Sequence, residues 1–346
     1  MVRIKKLVIS KAVVWVLLFA IMLSGCGLIG EAGGGSAQPP PQSSNTGQQS
    51  NQQASQDESS DTSQDADEIF HVVLPEILLP VASGAAVEEN EQAIIDYSNS
   101  RDGYIMVRYT ENSDVLIKLL IIGPDGVQYQ YKLEPAGDFV AFPLSSGNGS
   151  YEIGVFMQVD ADRYAMVLST TIDVTLTDEF APFLRPNQFV NFNQDSEAVR
   201  KAAELTARTD VFMEKVAAIY QFIITNIDYD TEFANTVQQG NAPNYVPDID
   251  RVLSRKMGIC FDYASLMTAM LRSQGIPTKL VIGYAGEIRH AWISVYSKEE
   301  GWLDDVIFFD GNEWHFADPT FAASGSSQEI ARFIGDGSNY TVTHVH

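Results

Sequence analysis

The sequence predicts an α+β fold class, with a β-sandwich-like domain followed by a domain that mixes helices and strands. Apolar residues alternate with polar ones up to about residue 178, whereas from about residue 193 they recur at the three- and four-residue spacing of helices. The length that follows the polar N-terminal stretch also suits two domains better than one. We therefore expect domains at residues 69–178 and 179–346.

Residues 1–25 have the composition of a secretory signal. The basic start MVRIKK precedes the apolar run AVVWVLLFAIML, which is too short for a membrane-spanning helix. The run ends in LSGC, and these four residues resemble the lipobox of bacterial lipoproteins, whose cysteine receives the lipid. The resemblance implies lipidation at Cys26 and a lipid-anchored, extracytoplasmic location on the outer face of the bacterial cell membrane. The alternative is an ordinary secretory signal with an incidental cysteine.

Residues 26–68 are predicted to be the lipid anchor and a disordered linker, because residues 31–68 hold no large aliphatic or aromatic side chain to bury. The chain has a net charge of −23, which disfavours a nucleic-acid partner. No segment resembles a calcium-binding loop. We expect no cofactor and no metal, and membrane association through the lipid anchor alone.

The first folded segment is predicted to be all β. In VQYQYKL, residues 127–133, every second residue is apolar, and the same period recurs in YEIGVFMQV and TIDVTL. GPDG and SSGNGS separate these runs as turns. Aromatic residues of this segment could line a carbohydrate or peptide groove, but core packing explains them more simply; they are Tyr97, Tyr104, Tyr109, Phe139 and Phe142.

The second segment begins with three predicted helices, in DSEAVRKAAELTAR, TDVFMEKVAAIYQFIITN and DIDRVLSRKM. A fourth helix is predicted in CFDYASLMTAMLRSQGIP, with Cys260 in its first turn. The free N–H groups and dipole of a helix N-terminus stabilise a thiolate, so we expect the pKa of this thiol to lie below that of a free cysteine. A buried cysteine acting as a small hydrophobe is the alternative.

A cysteine nucleophile needs a base and a group that orients the base. In HAWISVY the alternation places His290 on the face opposite Ala291 and Ile293. In EWHFADPT, after the predicted strand WLDDVIFF, Asp318 and His315 lie on opposite faces. If these strands pair, Asp318 can reach His290 across the sheet. Taken singly, such a histidine is more often a core residue and such an aspartate a turn residue.

These motifs carry a family resemblance. GICFDYASLMTAMLRSQGIPTKLVIGY, HAWISVY and WHFADPTF together resemble the transglutaminase-like superfamily, a group of papain-like folds with Cys, His and Asp in this order. The resemblance implies Cys260 as nucleophile, His290 as base and Asp318 as orienting group. It also implies an aromatic oxyanion donor upstream, for which Tyr229 is the candidate beside the Cys260 backbone N–H. Animal cross-linking transglutaminases have Trp directly after the nucleophile, where this chain has Phe261.

The resemblance implies an enzyme that transfers or hydrolyses acyl groups of amide bonds through a thioester. Its partners would be protein or peptide substrates, including cell-wall peptides, and the acceptor, an amine or water, stays open. A non-catalytic envelope binding module built on the same fold is the alternative function.

Overall fold

The computed structural model of the chain describes residues 72–285, 287–309, 314–316 and 340–346. These residues form strands and five α-helices, so the predicted α+β fold class is confirmed. The signal, anchor and linker predicted within residues 1–68 lie outside the described residues. Within the described ranges, no helix is both long and apolar enough to cross a membrane.

Two four-stranded sheets make up the first part of the described chain. Their strands are β1 (Val87–Glu89), β2 (Ala93–Asp96), β3 (Tyr104–Tyr109), β4 (Ile117–Ile122), β5 (Gln128–Leu133), β6 (Val140–Pro143), β7 (Gly149–Asp160) and β8 (Arg163–Val174). One sheet has the order β1-β2-β3-β6 and the other β5-β4-β7-β8. Alternate side chains of both sheets meet in one core, where Ile95 and Val107 of one sheet are buried with Leu119 and Ile153 of the other.

The aromatic residues of this part belong to its interior. Tyr104, Tyr109 and Phe142 are buried, and Tyr97 and Phe139 pack against buried clusters as partly buried side chains. The core interpretation is therefore confirmed for them, and the groove interpretation is not supported.

Five helices follow: α1 (Glu197–Thr206), α2 (Phe212–Asn226), α3 (Thr231–Gln238), α4 (Ile249–Arg255) and α5 (Cys260–Ser273). The sequence predicts four of them and misses α3, a short helix whose first turn is capped by the Asp230 side chain, which accepts a hydrogen bond from the Phe233 N–H at 2.9 Å. Helix α5 is the central helix, since every residue from 262 to 273 is buried. It ends before Gly275, whose φ of +73° suits glycine.

The second part also contains β9 (Asp228–Tyr229), β10 (Met257–Gly258), β11 (Thr278–Ala285), β12 (Ile288–Ser297), β13 (Gly301–Phe309), β14 (Trp314–Phe316) and β15 (Tyr340–Val345). The last five form an antiparallel sheet of order β14-β13-β12-β11-β15, and α5 packs against β11 and β12. The aliphatic face of β12, with Ala291, Ile293 and Val295, lies in the core shared with α5.

The β-sandwich and the second part share buried contacts. Phe189 packs against the cores of both parts. The Tyr131 hydroxyl lies 2.9 Å from Nδ1 of the buried His346. Arg272, fully buried in α5, donates to the carbonyls of Thr278, Arg185 and His346, and burial lowers its pKa to about 9. The parts of the chain on either side of residues 178/179 are thus in contact with each other. The domain boundary expected at this position stays a prediction.

Candidate active site

Helix α5 begins at Cys260, and the two short strands β9 and β10 position this start. They pair in parallel, with Gly258 opposite Tyr229, so the tyrosine lies beside the segment that leads into the helix. Gly258 is required by close packing, because a Cβ at this position would lie 2.7 Å from the Cβ of Asp262. The glycine two residues before Cys260 is therefore a consequence of how the first turn of α5 packs.

The Tyr229 hydroxyl contacts Cys260 directly. Both the backbone N–H and the thiol of that residue act on the hydroxyl and shift its pKa. Burial, and then the neighbouring thiol, raise the pKa of Tyr229, so it stays a neutral hydroxyl. The structure thus places this candidate donor beside the backbone N–H and the thiol of Cys260.

The Cys260 thiol is held by backbone groups from two elements. The N–H groups of Ala291 on β12 and of Phe261 on α5 act on it and lower its pKa. Burial raises the pKa of the thiol by more than these two N–H groups lower it, and the charge of Asp262 raises it further. The lowered pKa expected from the helix N-terminus is therefore wrong for the described surroundings, because loss of solvation outweighs the helix terminus.

His290 lies on β12 opposite Gly283 of β11, directly before the residue that contacts the thiol. Its side chain is buried, and burial lowers its pKa to about 4. Its ring lies over Trp292, with 6.0 Å between centroids. Within the described residues, Nε2 is buried without a hydrogen-bond partner, and no hydrogen bond joins His290 to Cys260. His290 thus lies on a strand that packs against the helix of Cys260. Within the described residues, the two side chains are not joined by a hydrogen bond.

Asp318 lies outside the described residues, and so does the side chain of His315. The backbone of β14 pairs with β13, with His315 opposite Phe308, and β13 in turn pairs with β12. One strand therefore stands between β14 and the strand of His290. The approach of Asp318 to His290 stays a prediction.

Sequence reasoning missed one charged neighbour of the thiol. Arg289, an exposed residue of β12, contributes a positive charge that lowers the pKa of Cys260, although less than burial raises it. Its position directly before His290, the predicted base, is the sequence signal that could have identified it. Among the described residues, no cluster of three or more His, Cys, Asp or Glu side chains could hold a metal ion.

Comparison with known proteins finds a family match around Cys260 and His290. Residues 199–304, which include Cys260 and His290 and end before Asp318, match the Transglutaminase-like superfamily. The uncharacterized protein YebA of Bacillus subtilis is 33% identical over 127 residues, covering 31% of this chain and 17% of that protein. The protein-glutamine gamma-glutamyltransferase of Pseudomonas aeruginosa is 34% identical over 68 residues, covering 16% of this chain and 10% of that protein.

The chain thus spans less than a fifth of the length of these two relatives. A solved structure, a proposed cysteine protease from Cytophaga hutchinsonii, aligns with 15% identity and a TM-score of 0.34, covering 68% of this chain and 73% of that chain. The resemblance found in the sequence is confirmed by this family match, which covers residues 199–304.

Proposed function

We propose that the chain is a cysteine enzyme that transfers or hydrolyses acyl groups of amide bonds in protein or peptide substrates. The surroundings of Cys260 carry this proposal. Its thiol sits at the start of a buried helix, in contact with the Tyr229 hydroxyl and the Ala291 N–H, inside the region that matches the family.

In the first step the Cys260 Sγ attacks the carbonyl carbon of the amide. The oxyanion that forms would accept hydrogen bonds from the Tyr229 hydroxyl and the Cys260 N–H, which already lie together. His290 takes the thiol proton and passes it to the leaving amine as the C–N bond breaks, and a thioester remains on Cys260. The raised pKa of the thiol favours a protonated resting Cys260, so the proton would move to His290 during attack.

Asp318 is assigned the orienting role. The buried Nε2 of His290, which has no hydrogen-bond partner within the described residues, is the atom that such a carboxylate would contact. Without this contact the imidazole could adopt the wrong tautomer or rotate, and proton transfer would slow.

In the second step an acceptor attacks the thioester carbonyl, His290 takes its proton, and the C–S bond breaks to release Cys260, which regains the proton from His290. An amine acceptor gives transamidation and water gives hydrolysis. We place the enzyme outside the cell, anchored by a lipid on Cys26, where cell-wall peptides are within its reach. The lipobox-like LSGC sequence supports this location.

A non-catalytic envelope binding module is the second candidate. It is favoured by one observation: within the described residues, no hydrogen bond joins Cys260 to His290, whose Nε2 has no partner. Such a module would bind the same peptides without turning them over.

The deciding experiment offers the purified protein a glutamine-containing protein with a fluorescent amine and, separately, cell-wall peptides. Labelling or peptide cleavage by the wild type that is abolished in Cys260→Ala supports the enzyme. Cys26→Ser serves as the matched control, since it also replaces a cysteine and should keep full activity. Binding of these substrates with no turnover would instead support the module.

A further inference from the structure

A buried carboxylate holds the first turn of α5. Asp262 stands two residues after Cys260 and is 2% exposed. One of its oxygens accepts a hydrogen bond from the Ile259 N–H at 2.9 Å, and the other accepts one from the Tyr245 hydroxyl at 2.5 Å. Both oxygens are thus committed, one to the backbone just before the nucleophile and one to a residue 17 positions upstream.

Tyr245 belongs to the loop that connects α3 to α4. Its ring packs edge-on against Phe233 of α3, with 4.8 Å between centroids. Together with Asp262 and Gly258 it lines a cavity of about 570 Å³. The close approach of Asp262 to Gly258 makes these residues one tightly packed unit with the segment that carries Cys260.

We propose that Asp262, held by Tyr245, is a positioning residue for Cys260, which it orients through the first turn of α5 while placing a negative charge beside the thiol. This inference rests on the proposed role of Cys260 as nucleophile. A capping interaction from the N3 position needs only one side-chain oxygen, which here accepts from the N–H of the N-cap residue Ile259. A buried carboxylate with a second, long-range donor does more than cap the helix.

The charge of Asp262 opposes ionisation of the thiol. It raises the pKa of Cys260, in addition to the larger effect of burial. The groups that face Asp262 are the Tyr245 hydroxyl, the carboxylate of Asp230 and the guanidinium of Arg251. Burial raises the pKa of Asp262, and the hydrogen bonds from Tyr245 and Ile259 counter this by stabilising the carboxylate. The consequence is a thiol that stays protonated until a base removes its proton.

The test is the rate of iodoacetamide alkylation of Cys260 against pH in the full chain, with the modified peptide quantified by mass spectrometry so that Cys26 does not interfere. In Asp262→Asn the amide keeps the shape, and its oxygen can still accept from the Ile259 N–H. Because the charge is gone, the midpoint of the profile should move to lower pH by about one unit.

In Tyr245→Phe the carboxylate remains but loses the hydroxyl that shields its charge, so the midpoint should move to higher pH. Where substrate turnover is measurable, kcat should fall about tenfold with little change in KM, because the nucleophile is less well oriented. Asp162→Asn and Tyr164→Phe, on the remote β7–β8 hairpin, are the matched controls and should reproduce the wild-type profile.

Opposite shifts of the alkylation midpoint in the two variants support the positioning role. If Asp262 were merely structural, the two substitutions would not shift the midpoint in opposite directions. Profiles that overlay the wild type, or that move in the same direction, overturn it. If Asp262→Asn does not fold, the nearly isosteric Tyr245→Phe decides by its upward shift alone. The alkylation profile requires no substrate, so it decides this inference even if the wild type turns nothing over, which would refute the proposed function instead.

Discussion

Replacing Asp318 by Asn should lower the pKa of His290. In the described part of the chain, burial lowers this pKa from 6.5 to about 4, and Nε2 has no partner there. A carboxylate hydrogen-bonded to the imidazole favours the charged form and acts in the opposite direction. If Asp318 orients His290, the wild-type pKa should therefore lie at 6.5 or above, and the Asn variant should show a value near 4.

The size of the effect follows from linkage. The difference between 6.5 and about 4 corresponds to about 3 kcal/mol, at 1.36 kcal/mol per pKa unit. In the Asn variant the folded-state pKa lies below the unfolded one, so the stabilisation is complete above pH 6.5 and is lost as the pH falls toward 4. In the wild type, titration of His290 should cause no such loss of folding stability.

Two measurements check this. NMR titration of the His290 ring, assigned with His290→Gln, gives the pKa directly in both proteins. Urea unfolding at pH 7 and near pH 4.5 gives the loss of stability, with Asp162→Asn as a control for the removal of one carboxylate. A wild-type His290 that already titrates near pH 4, and is unmoved in Asp318→Asn, would show that no carboxylate contacts it and that the triad is assigned wrongly.

Three further predictions concern other parts of the chain. Tyr229→Phe should lower kcat by about 100-fold with little change in KM, because one oxyanion donor is lost; Tyr284→Phe, at an exposed position, is the control, and an unchanged kcat would exclude the role. Tyr131→Phe should lower the free energy of unfolding in urea by about 1–2 kcal/mol, because the buried His346 loses its hydrogen bond; equal stability would argue against this contact. Cys26→Ser should move the protein from the membrane fraction to the supernatant, and a mutant that still sediments with membranes would contradict lipid anchoring.

Local patterns in the sequence were enough to predict the elements that carry the site. The apolar period and the Gly275 and Pro277 stop signals predict α5, and the alternation around His290 predicts β12 with its aliphatic face toward the core. Each signal is a property of neighbouring residues, so no long-range contact was needed to find it.

The remaining features depend on contacts between distant residues. Pairing of β9 with β10 brings Tyr229 to the nucleophile, and no local pattern in two-residue strands predicts it. The pKa of Cys260 was predicted in the wrong direction, because a sequence shows a helix terminus but does not show how deeply a side chain is buried. The bond between Tyr245 and Asp262 likewise joins a loop to a helix 17 residues away.

The central claim is that Cys260 forms a thioester with a peptide substrate, and trapping that intermediate tests it most directly. The wild type is mixed with a glutamine-containing or cell-wall peptide, quenched in acid and analysed by peptide mass spectrometry. We expect a substrate acyl group on the Cys260 peptide in the wild type and in His315→Ala, none in Cys260→Ala, and a strongly reduced amount in His290→Ala. No acyl group on Cys260 with any substrate that is turned over, or an acyl group that His315→Ala rather than His290→Ala reduces, would contradict it.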